Sequence, residues 1–90
     1  MQKTSIIVRV PGVQGGYPVI AGTRTPVRAI IELYRDVYPG DLDEVKASLP
    51  HLSDADIEAA FEYYREHPEI IDEDIKRHRD AWEQLTKSET

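Results

Sequence analysis

Gly15-Gly16-Tyr17-Pro18-Val19-Ile20-Ala21-Gly22-Thr23-Arg24-Thr25-Pro26-Val27 is the stretch on which the architecture turns. It holds three of the chain's five glycines and two of its six prolines. The apolar run Pro18 to Ala21 predicts a short strand, and Gly22 allows a sharp turn after it. Thr25 followed by Pro26 predicts a helix start, with a hydroxyl to cap the first amides and a ring that presets φ. As a phosphate loop the stretch fails. Gly16 and Gly22 are separated by five residues rather than four, and Thr23-Arg24 stands where Lys-Ser/Thr is needed. Arg24 and Arg28 still bring guanidinium groups to a helix start, where the local field favours anions. Two uses stay open for them: an anion or partner contact, which Arg9 could join, or surface ion pairs such as Arg28 with Glu32.

Toward the N-terminus, Ser5 to Val10 alternates, with Ile6, Val8 and Val10 on one face and Ile7 and Arg9 on the other. Pro11 to Gly16 then connects two strands as a loose hairpin. A two-stranded ribbon is marginal in water, so helices or a second copy of the chain must cover its edges. A homodimer is expected on that ground.

Toward the C-terminus, Val27, Ile30, Ile31, Tyr34 and Tyr38 form the core face of a first helix, with Arg24, Arg28 and Arg35 off that face. Pro39-Gly40 stops it. A short second helix spans Leu42 to Ser48, capped by Asp41 with Glu44 in the capping-box position, and turns Leu42, Val45 and Leu49 inward. The third follows Ser53, with Asp56 completing a capping box and Ile57, Ala60, Phe61 and Tyr64 as its stripe. His67-Pro68 breaks it after about Glu66. A fourth helix runs from Pro68 to Leu85 with a narrow stripe of Ile71, Ile75, His78, Trp82 and Leu85. Asp72–Lys76 and Glu73–Arg77 are favourable i,i+4 pairs on it. The expected class is mainly α (α+β): a strand pair, a helix-turn-helix-like three-helix core and a C-terminal helix. Residues 1–85 make one domain, with a β element at 5–21, a helical core at 26–66, the last helix at 68–85 and a frayed tail at 86–90.

Composition narrows the function. Ninety residues make one small domain, and the absence of cysteine leaves no disulfide or thiolate metal site. The N-terminal apolar run is too short for a signal peptide and nothing approaches membrane-spanning length, so a cytoplasmic location and no membrane partner are expected. The net charge of −6 divides unevenly: +3 over residues 1–40 and −9 over residues 41–90. The basic half suits nucleic acid or an acidic protein surface, and the acidic half repels nucleic acid.

No enzyme, cofactor or metal site is expected. His51, His67 and His78 lack ligand partners at i+3 or i+4. His51 and His67 belong to local turns, and His78 lies on the helix-four stripe as an interface or half-buried residue. Asp54, Asp56, Glu58 and Glu62 form a solvated helix face, which also disfavours the third helix as a reader of DNA. Any DNA contact would use Lys3, Arg9, Arg24 and Arg28. Trp82 and Leu85 lie beyond any obvious core, and tryptophan is enriched in binding hot spots. The stripe either folds back on the core or a dimer mate, or meets a different partner.

Gly15-Gly16-x-Pro18-Val19-Ile20-x-Gly22-Thr23-Arg24-x-Pro26-Val27 resembles the signature of the small bacterial and archaeal family called domain of unknown function four-three-three. Leu49-Pro50-His51-Leu52-Ser53-x-x-Asp56-Ile57-x-x-Ala60 resembles its second block. The resemblance covers about Ile7 to Arg65. It implies a helix-turn-helix-like fold with an N-terminal β element, often dimeric. It also implies an antitoxin that binds and neutralises a PIN-like ribonuclease toxin and regulates its own promoter. Its signature residues fall on Gly16, Pro18, Gly22, Thr23 and Arg24, with Pro26 opening the helix. A DNA-binding regulator and a self-associating structural module are the alternatives.

Overall fold

The computed structural model describes residues 6–87. Lys3 and Ser5, named above as a DNA contact and a strand start, lie outside the described residues, as does the tail from residue 88 onward. Two strands, β1 (Ile7–Val8) and β2 (Val19–Ile20), precede four helices: α1 (Val27–Glu32, widening into a π-helical turn over Leu33–Val37), α2 (Leu42–Ser48), α3 (Asp54–Glu66) and α4 (Pro68–Lys87). The class is mainly α with a small antiparallel ribbon, as expected. The strands pair Ile7 with Ile20 and Val8 with Val19, so only the centre of the 5–21 element is extended.

One face of the ribbon packs on the chain's own helices. Ile20 is 1% exposed and Ile7 packs against the core, while Ile6 and Val10 remain largely exposed. Ile30, Ile31, Val45, Ile57, Ala60 and Ile71 complete a core built from all four helices. Tyr34 meets Phe61 edge to face at 5.1 Å, which closes α1 on α3.

The corner after β2 departs from the expected cap. Pro26, not Thr25, occupies the N-cap position with extended dihedrals, and no side chain caps the helix. The Val27 amide donates instead to the Pro18 carbonyl at 3.0 Å, and Val19 bridges Pro26. The strand entering the corner thus satisfies the helix leaving it. Gly22, at φ +82°, makes the turn between them, a region costly for a residue with a Cβ.

The later punctuation follows the sequence. Asp41 accepts from the Glu44 amide, and Ser53 with Asp56 forms a complete capping box at α3. His67 ends α3 and Pro68 opens α4. Val45 is inward, but Leu42 is 36% exposed and does not join the core as expected. α4 continues through Lys87, past the predicted end at Leu85. At about 1.5 Å per residue its 20 residues span roughly 30 Å, and the long axis of the molecule is 54 Å against 30 and 23 Å. No helix among the described residues is long and apolar enough to cross a membrane.

Candidate functional site

Three places in the fold carry polar or interaction chemistry. The first joins the glycine stretch to α4. Asp74 is fully buried on α4 although its neighbours Asp72 and Glu73 are exposed. Its Oδ1 accepts from Arg77 at 2.9 Å, and its Oδ2 faces Arg28 Nε at 3.5 Å. The second approach is an ion pair without hydrogen-bond geometry. Arg28 Nε and Asp74 Oδ2 are accordingly buried polar atoms with no hydrogen-bond partner among the described residues. Arg28 also reaches Glu32 at 3.3 Å, the i,i+4 pair anticipated above, and Gln14 at 3.4 Å. At 8% exposure, however, Arg28 lies within the helix packing and not off the core face.

Arg77 continues this cluster outward. Its guanidinium lies 4.6 Å from the centroid of the Tyr17 ring and donates to the Gln14 carbonyl at 3.4 Å. A Cβ placed on Gly15 would stand 3.5 Å from that guanidinium, so the backbone and the cation are in close register. Tyr17 donates its hydroxyl to Glu73 at 2.9 Å. That bond raises the tyrosine pKa above its ordinary value of 10, with burial adding to it. The pairs expected within α4 are therefore replaced. Glu73 serves Tyr17, Asp72 serves Arg35 and Tyr64, and Lys76 turns to Asp80. Arg9 donates Nε to the Gly16 carbonyl at 2.8 Å and also approaches the Tyr17 ring.

The second place is a shallow depression lined by Gly22, Thr23, Arg24, Thr25 and His51. Thr23 holds the corner beneath it, donating its hydroxyl to the Ile20 carbonyl and accepting from the Thr25 amide. Thr25 Oγ1 and His51 Nε2, 26 positions away, share a hydrogen bond of 2.8 Å. His51 is thus a long-range partner of the glycine stretch, and the expectation of a purely local turn residue is corrected. Arg24 is exposed; it and Arg28, grouped together in the sequence, have different environments.

The third place is the outer end of α4. The stripe proposed from spacing divides in two. Ile71 is 0% exposed and Ile75 6%, both within the chain's own core, so neither is available to a separate partner in this fold. His78 is exposed, and Trp82 and Leu85 are each 62% exposed. Of the signature residues, Pro18 and Pro26 are buried and Gly16 and Gly22 take positive φ. With Thr23 they build the corner.

Sequence reasoning missed the burial of Asp74. The available signal was its position. It lies three residues after Ile71 and one before Ile75, inside the apolar face and away from the polar side of the helix.

Comparison with known proteins returned a family model described as "Protein of unknown function (DUF433)", matching residues 7–64. The crystal structure of a DUF433 member from Anabaena variabilis superposes with a TM-score of 0.67 at 38% sequence identity, covering 78% of this chain and 67% of that one. No protein of curated function matches the chain.

Proposed function

The chain belongs to the DUF433 family, and from that premise and the geometry of α4 we propose that it is an antitoxin-like protein that neutralises a PIN-like ribonuclease by protein–protein contact. The observation that carries the reading is the outer end of α4, where Trp82 and Leu85 stand 62% exposed on a helix whose first half, through Ile71, Asp74 and Ile75, is held in the core. A large aromatic beside an aliphatic side chain is the usual make-up of an interface anchor. Asp80 and Glu83 flank them, and the acidic half of the chain suits the basic surface that a ribonuclease needs for its substrate. The contact set is smaller than the five-residue stripe: His78, Trp82 and Leu85 remain, while Ile71 and Ile75 hold the helix on the body.

A protein partner is favoured over DNA by α3. Its exposed residues Asp54, Glu58 and Glu62 present carboxylates where a DNA-reading helix would need neutral or basic groups. The test is co-expression with a PIN-like ribonuclease encoded beside the gene, followed by ribonuclease assay of the purified pair; a locus without such a nuclease counts against the proposal. Inhibition in a stoichiometric complex supports the proposal. An unaffected nuclease that does not co-purify refutes it.

A further inference from the structure

We infer that the depression around Arg24 is a binding site for a phosphate group. The first observation is the state of Arg24. Every other Lys or Arg whose side chain is described is engaged with a carboxylate or, for Arg9, with a carbonyl oxygen. Among the described residues Arg24 alone has a guanidinium with neither a carboxylate nor a carbonyl partner, in a chain of net charge −6 that has acids to spare. Only its backbone is used, its carbonyl accepting from Gln14 at 3.3 Å.

The second observation is what surrounds it. None of the residues lining the depression is Asp or Glu; they are Gly22, Thr23, Thr25 and His51. Thr25 and His51 share one hydrogen bond at 2.8 Å. When His51 Nε2 carries the proton, it donates to Thr25 Oγ1, and the threonine O–H is left to turn outward as a donor. A guanidinium fork and a hydroxyl backed by imidazole then face one shallow cup. That donor set matches a tetrahedral oxyanion with three or more acceptor oxygens better than a two-oxygen carboxylate. Thr23 cannot contribute its hydroxyl, which is spent on the Ile20 carbonyl. Its role is to fix the backbone carrying Arg24.

A single arginine does not track a polymer, and the acidic α3 surface would repel one. The ligand is therefore a free or terminal phosphate. This site is separate from the outer end of α4 and does not depend on the reading of that helix.

The experiment is an NMR titration of the intact protein with inorganic phosphate, against sodium chloride at matched ionic strength, with a parallel titration of duplex DNA. The expected result is saturable shifts at residues 22–25 and His51 with phosphate and none with chloride. Binding should weaken about tenfold in R24Q, the loss expected for one charge-assisted hydrogen bond. T25V, which removes the hydroxyl and keeps the shape, should weaken it as well. No saturable shift with phosphate, or equal shifts in R24Q, overturns the assignment. So does binding of the duplex, lost in R24Q, without any response to inorganic phosphate, which would assign the arginine to a nucleic-acid backbone.

Discussion

Arg28 and Asp74 face each other inside the core at 3.5 Å, one from the first helix and one from the last. Removing water from two charges is costly, and their mutual attraction repays it only while both are present. The cluster widens to Glu32, Gln14 and Arg77, so the glycine stretch, α1 and α4 meet at one buried carboxylate. Together with Ile71 and Ile75, that contact holds the first half of α4 on the body.

Truncating the carboxylate should therefore be severe. D74A removes the buried carboxylate facing Arg28 Nε, leaves Arg28 only the partly exposed Glu32 as a carboxylate partner and should cost about 3 kcal/mol in urea unfolding. Domains of this kind hold about 5–15 kcal/mol in total, so much of the reserve would go. D74N keeps the shape and one acceptor and should cost less. An R28M/D74L double variant should recover most of the loss, because an apolar pair removes both desolvation terms together. A loss below about 1 kcal/mol in D74A would show that the pair does not anchor the helix.

The α3 capping box makes a smaller and more local claim. S53A removes the hydroxyl that accepts from the Asp56 amide at 3.1 Å, and Asp56 Oδ2 in turn accepts from the Ser53 amide. A loss of about 1 kcal/mol is expected. By calorimetry this corresponds to a fall in Tm of about 4–8 °C.

Two tyrosines should titrate late. Tyr17 is held protonated chiefly by its hydrogen bond to Glu73, and Tyr64 chiefly by burial, with its bond to Asp72 second. Both folded pKa values lie above the ordinary 10, so the folded state holds these protons more tightly than the unfolded one. The associated stability is complete below about pH 10 and is lost as pH rises through the raised values. Absorbance titration near 295 nm should show two phenols ionising above the ordinary value of 10, one missing in Y17F and the other in Y64F.

Much of this fold is legible in the sequence because its punctuation is local. Pro39-Gly40, Ser53 with Asp56, and His67-Pro68 each act within a few residues, and the apolar spacing of α1 and α3 identifies their inner faces. The burial of Arg28 and Asp74 is not legible in this way, for the opposite reason. Charge and helix position suggested solvent, whereas each is buried by a partner 46 positions away that no local rule connects. The helix cap expected at Thr25 is absent for a similar reason, since the Pro18 carbonyl takes the Val27 amide and Thr25 Oγ1 is hydrogen-bonded to His51. Of the candidate site, spacing puts Trp82 and Leu85, three residues apart, on one face of α4, and both are exposed. It could not reveal that Ile71 and Ile75, on the same stripe, are covered by the chain itself.

The most direct measurement is inhibition of the proposed PIN-like ribonuclease partner by a W82A/L85A variant. Both side chains are largely exposed, so the variant should unfold within about 1 kcal/mol of the parent. The loss of two anchor residues should weaken capture of the nuclease by about a hundredfold, a change of roughly 3 kcal/mol, and release its activity. A folded variant that still inhibits at the parent's stoichiometry and affinity would contradict the assignment of the outer end of α4 as the partner surface.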